Sequence, residues 1–260
     1  MRALTINTIE GLPDIREGDN LVGLIIEKLT AQRQVLCEGD VLVIAQKIIS
    51  KAEGAVCHID DITPTEEAIE VAKKVNKDPR KVTVILSEST RLVKVHKHPA
   101  ANEGIIITEH RLGHISANAA VDESNTDNPG ELILLPKDPD ASARIIAEGL
   151  CKYYGASKHS IGVVISDTFG RPWRLGQTNV AIGVANVPAL NPLYGECDAW
   201  GRPLKVTAPA LADELAAASG LLMSKQGKCP VILFKGLEWE SNPDSKASDL
   251  LRPTQEDLFA

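Results

Sequence analysis

Two aspartates set in polar segments are the residues of this 260-residue chain best suited to chemistry. Asp122 lies in NAAVDESN and Asp167 in ISDTFGR, each directly after a predicted strand. Two strand-end carboxylates converging on one cleft suit Mg2+ or Mn2+, because these hard ions take oxygen ligands and keep positions open for phosphate oxygens. Thr168 would add a hydroxyl or carbonyl oxygen beside the second aspartate. The same spacing also fits two turn formers that hydrogen-bond their own backbone. Residue types alone leave both readings open.

Other signatures are absent. There is no GxxxxGK[ST], no GxGxxG between a strand and a helix, no HExxH, no GxSxG and no HRD or DFG. P-loop, Rossmann, zincin, α/β-hydrolase and kinase chemistries are therefore disfavoured. His58, His96, His98, His110, His114 and His159 show no metal spacing on a helix and read as solvated loop residues, with substrate contact as the alternative. Cys37, Cys57, Cys151, Cys197 and Cys229 are odd in number, far apart and without a CxxC, so they read as reduced thiols filling small spaces.

The elements that must position these residues follow from periodicity. Leu21, Leu24, Ile25 and Leu29 recur at helical spacing behind Asp19 as a cap, and EGD at 38–40 ends that helix. Val41–Ile44 is a short continuous apolar run, suited to a strand buried on both faces. Just beyond its carboxyl end come Gln46, Lys47, Ser50 and Lys51, where ligands sit in open α/β sheets. Thr63–Val75 reads as a helix with Thr63 as N-cap, Pro64 in its first turn and Glu66 completing a capping box. Strands are predicted at Val82–Leu86, Ile105–Thr108 and Gly113–Ala117, followed by a loop over 122–131. A helix over Ser142–Tyr154 closes at Gly155, and a strand over Ile161–Ile165 runs into a polar turn from Ser166 to Arg171. Gly176–Pro188 re-enters a sheet, 191–203 is turn-rich, and Pro209–Met223 is helical with Leu211, Leu215, Ala218 and Leu222 as its stripe. After a loop at 224–228, Val231–Phe234 is the last strand, and LLRPTQEDLF is a short docking segment.

The fold class is thus α/β (α+β), with mixed β-sheets and flanking helices, and residues 1–260 carry no repeat, linker or composition shift that marks a domain boundary. With 28 basic against 35 acidic residues the net charge is −7, the wrong sign for coating nucleic acid or an anionic membrane, so neither is expected as a partner. The N-terminal MRALTINTIEGLP lacks the basic and apolar stretches of a signal peptide, and no run reaches the roughly 18 apolar residues of a membrane span; a cytoplasmic protein is expected.

Taken in order, GLPDIREGDNL, GDVLVIAQKIISKAEG, SANAAVDESN, LLPKDPDASA, ISDTFGRPWRLGQTNVAIG, ADELAAASGLLM and LLRPTQEDLF resemble the coenzyme F420-0:L-glutamate ligase (F420 γ-glutamyl ligase) family through nearly the whole chain. The resemblance implies that family's fold, built from an intertwined homodimer, in its stand-alone form. It also implies GTP-dependent addition of γ-linked L-glutamate to F420-0, with Mg2+ or Mn2+ as activating ion and K+ as a candidate further ion. By the same resemblance Asp122, Asp167 and Thr168 would bind metal. Leu12, Pro13, Asp14, Ile15, Gln46, Lys47, Lys51 and Asn125 would belong to the GTP site, with Met223, Ser224, Lys225, Gln226 and Gly227. Two features depart from the family. Archaeal members tend to carry MGE where this chain reads Met223, Ser224, Lys225, so a second ion would be held more weakly or its charge partly replaced by Lys225. At Gln46 and Lys47 small hydroxyl residues are commoner.

The implied reaction turns a poor acylating agent, a carboxylate, into an acyl phosphate that an amine can displace, a chemistry that needs positioning and charge neutralisation more than covalent help. Asp122 and Asp167 would hold the metal, while Lys51, Arg171 and Arg174 neutralise phosphate or substrate charge. QKIISK, GRPWR and SKQGK are the cationic loops available to an acidic protein with anionic substrates. Trp173, between the two arginines, would stack on the deazaflavin or a base, or else cap the core.

Overall fold

The computed structural model describes residues 3–223 and 228–257. A five-stranded sheet runs in the order β1 (Thr5–Thr8), β10 (Val231–Lys235), β2 (Val41–Ala45), β8 (Gly162–Arg171) and β9 (Arg174–Ala185). β2 and β8 are parallel, with Ala45 opposite Ser166, so β2 ends beside the middle of β8, which runs on to Arg171. The other neighbours are antiparallel. The VLVI run is buried on both faces. Leu42 and Ile44 enter the core that includes α1 (Leu21–Ala31) and α5 (Pro139–Tyr154), and Val41 and Val43 the core under α6 (Leu211–Ser219). A three-stranded sheet of β4 (Ser89–His96), β5 (Ile105–His110) and β6 (Ile115–Ala117) accompanies α3 (Glu66–Val75) and α4 (Pro79–Ser87) around a third apolar cluster. β3 (Val56–His58) pairs with β7 (Glu131–Ile133). This is the expected mixed α/β class. No helix among the described residues is long and apolar enough to cross a membrane.

Several local expectations are corrected. Val82–Leu86 is not a strand but the body of α4, because Asp78 caps the amide of Arg80 and Pro79 opens the helix; these start signals outweigh the β-branched run. The cap of α3 is Thr65, whose hydroxyl accepts from the Ala68 amide, rather than Thr63. Asn20 caps α1 in place of Asp19, whose carboxylate accepts instead from the Arg16 amide. QKIISK is α2 (Gln46–Ala52), not a loop. Ser166–Arg171 continues β8, and the reversal falls after it at Trp173, whose φ is 57°. The last long helix stops at Ser219, short of Met223. His110 and His114 are buried, not solvated. Of the thiols Cys151 is buried, whereas Cys37 and Cys197 are exposed and fill no interior space.

Candidate active site

The parallel pair β2–β8 sets the site. α2 starts directly after β2, so Gln46, Lys47 and Lys51 stand beside the middle of β8, where Asp167 and Thr168 lie. This is the carboxyl-end crevice that open α/β sheets use for ligands. Between Ile165 and Ser166 the register with β9 slips by one residue, and the Asp213 carboxylate accepts the Ala181 amide at 2.8 Å there. Bulges of this kind re-aim side chains next to functional sites.

Asp122 arrives by a strained route. Asn118, Ala119 and Ala120 all have positive φ, at 54°, 51° and 55°, a conformation that non-glycine residues rarely hold in succession. Behind this turn Asp122 is pinned to β7 by reciprocal backbone bonds with Ile133, of 3.0 and 2.8 Å. Its Oδ1 accepts the Ser124 amide at 2.7 Å and its Oδ2 lies 2.6 Å from Lys47 Nζ. Burial opposes ionisation of Asp122, but Lys47 and the Ser124 amide outweigh it and hold the carboxyl below its usual value. Asp167 goes the other way, pushed up to about 6 by burial; the Thr168 amide opposes the rise, and the negative charge of Asp122 adds to it. Neighbouring carboxyls with opposite shifts are a pattern that functional centres share with structural ion pairs. Asp167 in particular sits within a strand, which removes the turn-former reading for it.

Asp167 and Lys47 open onto a cleft of about 1280 Å3, whereas Asp122 does not line it and stands behind Lys47. Its walls include Leu12–Ile15, Gln46, Lys47, Lys51, Asn125, Asp167, Thr168 and Met223, so most of the sequence-predicted residues meet in one place. Leu12 and Ile15 anchor their segment in the core, leaving Pro13 and Asp14 at the surface, where Asp14 pairs with Lys228 at 2.7 Å. Lys51 pairs with Asp127 at 2.8 Å, tying α2 to the 122–131 loop. Gln46 is 1% exposed; its Oε1 accepts from Ser50 Oγ, and its amide lies against the Asp167 carboxyl, opposing that group's rise. Ser224, Lys225, Gln226 and Gly227 lie outside the described residues. Arg171, with Arg174, sits at the exposed tip of the β8–β9 hairpin and does not line the cleft. Trp173 is 79% exposed at the same tip, so it does not cap the core.

Sequence reading gave no role to Arg16 and Asn179, which line the cleft, and named Ser166 only as part of a polar turn. Asn179 faces Thr168 only because of the β8–β9 register, and no local motif carries that signal. Among the described residues no group of three or more His, Cys, Asp or Glu is placed to hold a metal. The oxygen donors on the cleft wall are the Asp167 carboxyl and the Thr168 hydroxyl, with Asp122 behind Lys47. That suits a hard divalent ion which fills its remaining positions with water and ligand oxygens, and the buried, repelled Asp167 carboxyl is the group such an ion would compensate.

Residues 11–236 match the family described as F420-0:Gamma-glutamyl ligase. The chain is 40% identical over 253 residues, 96% of each protein, to the coenzyme F420:L-glutamate ligase of Methanothermobacter thermautotrophicus. It is 41% identical over 266 positions, the full length of both, to the enzyme of that name from Methanopyrus kandleri. A third relative of that name, from Methanocaldococcus jannaschii, is 41% identical over 249 residues, 95% of this chain and 94% of the relative.

Proposed function

The chain belongs to the F420-0:Gamma-glutamyl ligase family, and from that premise we propose that it joins L-glutamate to coenzyme F420-0 through a γ-linked amide, driven by GTP. The observation that supports this reading is the meeting, in one cleft beyond the end of β2 and beside the middle of β8, of Asp167, Lys47, Lys51 and the Leu12–Ile15 segment, with Asp122 paired to Lys47 behind it.

Phosphoryl transfer to a carboxylate asks for neutralisation of several negative charges at fixed positions. Lys47 and Lys51, on successive turns of α2, face the cleft and would lie along the triphosphate, exchanging the carboxylates of Asp122 and Asp127 for phosphate oxygens. The Gln46 amide, beside Asp167 on the cleft wall, would donate to another such oxygen. Asp122, Asp167 and Thr168 would hold a divalent ion, which when bound supplies positive charge to the phosphates. The F420-0 carboxylate would take the γ-phosphoryl group to give an acyl phosphate, and the amine of L-glutamate would then displace phosphate. Arg171 and Arg174, displaced from the cleft, are assigned to substrate charge beyond it, and Asn125 on the 122–131 loop to the nucleotide.

The homodimer is part of this reading. The β8–β9 hairpin ends in large exposed apolar groups, with Leu175 100% exposed, and such a tip suits burial against a second copy.

The test is incubation of the purified protein with F420-0, L-glutamate, Mn2+ or Mg2+, and GTP or ATP, followed by mass spectrometry. Products heavier by glutamate units, with GDP formed in step, are expected. Absence of product under conditions where a known ligase works would overturn F420-0 as acceptor and turn attention to an amide-forming ligase for a different carboxylate; equal turnover with ATP would overturn the GTP preference.

A further inference from the structure

We propose that Asn179 is a positioning residue that fixes the Thr168 hydroxyl for cation binding, and that Met223 locks it in that orientation. The inference rests on the metal-dependent reading above and extends it to residues which that reading does not use.

Thr168 and Asn179 are directly opposed across β8 and β9. Thr168 Oγ1 donates to Asn179 Oδ1 at 2.9 Å. A hydroxyl has one proton and two lone pairs; with its proton committed to Asn179, both lone pairs remain for an electrophile. If the amide were turned over, its NH2 would donate to Thr168 and occupy a lone pair that the cation needs. The second contact of Asn179 decides between the two orientations. Its Nδ2 points at Met223 Sδ, 3.6 Å away. A thioether sulfur accepts and never donates, so it favours the NH2 end of the amide. Ser166 Oγ approaches the same sulfur at 3.9 Å. Ser219 Oγ lies 3.7 Å from it, but its single proton goes to the Ala216 carbonyl at 2.6 Å. Sδ is thus ringed by hydroxyl and amide groups in which Asn179 has the most direct claim.

The packing enforces the arrangement. Gly220, just past α6, approaches so closely that a Cβ there would stand 3.3 Å from Asn179 Nδ2 and 3.1 Å from the Ala217 carbonyl. The chain Thr168–Asn179–Met223 therefore couples a proposed metal ligand on β8 to the residue that leads out of the cleft wall toward 224–227. Partners of this kind orient ligands rather than touch the ion.

The test is Mn2+ binding to the purified protein, read by calorimetry or by loss of the free-ion electron spin resonance signal. Asn179→Leu keeps the volume but removes the acceptor and is expected to weaken Mn2+ binding about tenfold, in the usual range for losing an orienting partner. Thr168→Val should weaken it by at least as much, and the double variant should be no weaker than Thr168→Val alone, because Asn179 acts only through Thr168. Asn179→Asp, which still accepts the Thr168 proton, should retain Mn2+ affinity. Thermal melts confirm that each variant folds; if Asn179→Leu fails to fold, Asn179→Ser, too short to reach Thr168, takes its place with the same expected loss. Unchanged affinity in the acceptor-less variant, additive losses in the double variant, or a wild-type protein that takes up no Mn2+ would each overturn the proposal. Failure of the ligase reading shows separately, as a wild-type protein that binds Mn2+ but makes no glutamylated product.

Discussion

The two carboxyls differ in environment. Asp122 is held ionised by Lys47 and the Ser124 amide, while Asp167 is driven toward neutrality by burial. Asp122→Asn and Asp167→Asn should each lower turnover by about 10²-fold or more, the size typical of removing one electrostatic contact to a transition state. Their circular dichroism and melting behaviour should stay close to wild type, since neither side chain carries core packing. Near-normal turnover at limiting metal in either variant would return that position to a purely local role. For Asp167→Asn the fold should tolerate the change well, because a buried carboxyl that resists ionisation gives up little on becoming an amide.

At the level of elements, the strand pair β8–β9 and its neighbours hold the site, and their packing makes two measurable statements. Gly183 on β9 lies against the start of α5, where an added Cβ would stand 2.6 Å from the Pro139 backbone. Gly183→Ala should therefore destabilise the protein by about 1–3 kcal/mol, the usual penalty for overpacking, seen as a lower urea midpoint. The other statement concerns His114, just before β6, whose ring meets Phe169 of β8 edge-on at 5.8 Å. Burial, helped by the neighbouring His110, lowers its folded-state pKa from 6.5 to about 4. The unfolded chain then binds one more proton than the folded one between those values. Its contribution is complete above pH 6.5 and is lost as pH falls toward 4. Between pH 7 and 5 the wild type should lose about 2 kcal/mol more than His114→Gln does. Parallel denaturation curves at the two pH values check it; equal losses would mean that His114 ionises freely in the folded protein.

For the whole molecule, the exposed hairpin tip makes assembly testable. The wild type should elute as a dimer in light-scattering chromatography, and Leu175→Glu should shift it to monomer by placing a charge where apolar contact is needed; a dimer that survives the change would put the interface elsewhere. Much of the architecture was legible along the chain. The VLVI run announced a two-face-buried strand, the Ser142–Tyr154 periodicity and Gly155 marked α5 and its stop, and NAAVDESN and ISDTFGR hold residues, Asn125, Asp167 and Thr168, that line the cleft. These signals are local, since burial period, caps and residue chemistry are all written within a few positions of one another. Where two local signals competed, as the Asp78–Pro79 start did with the β-branched residues after it, reading along the chain chose the wrong one. The rest depended on contacts between distant segments. The parallel register that brings Gln46 beside Asp167, the slip after Ile165, the left-handed turn at Asn118–Ala120 and the opposition of Thr168 and Asn179 are set by strand pairing and close packing. Alanines give no sign of positive φ, and a threonine and an asparagine eleven positions apart become partners only when the hairpin closes. The sequence by itself determined which groups could do the chemistry; the tertiary structure alone decided which of them meet, because register and burial are properties of pairs of segments and not of either one.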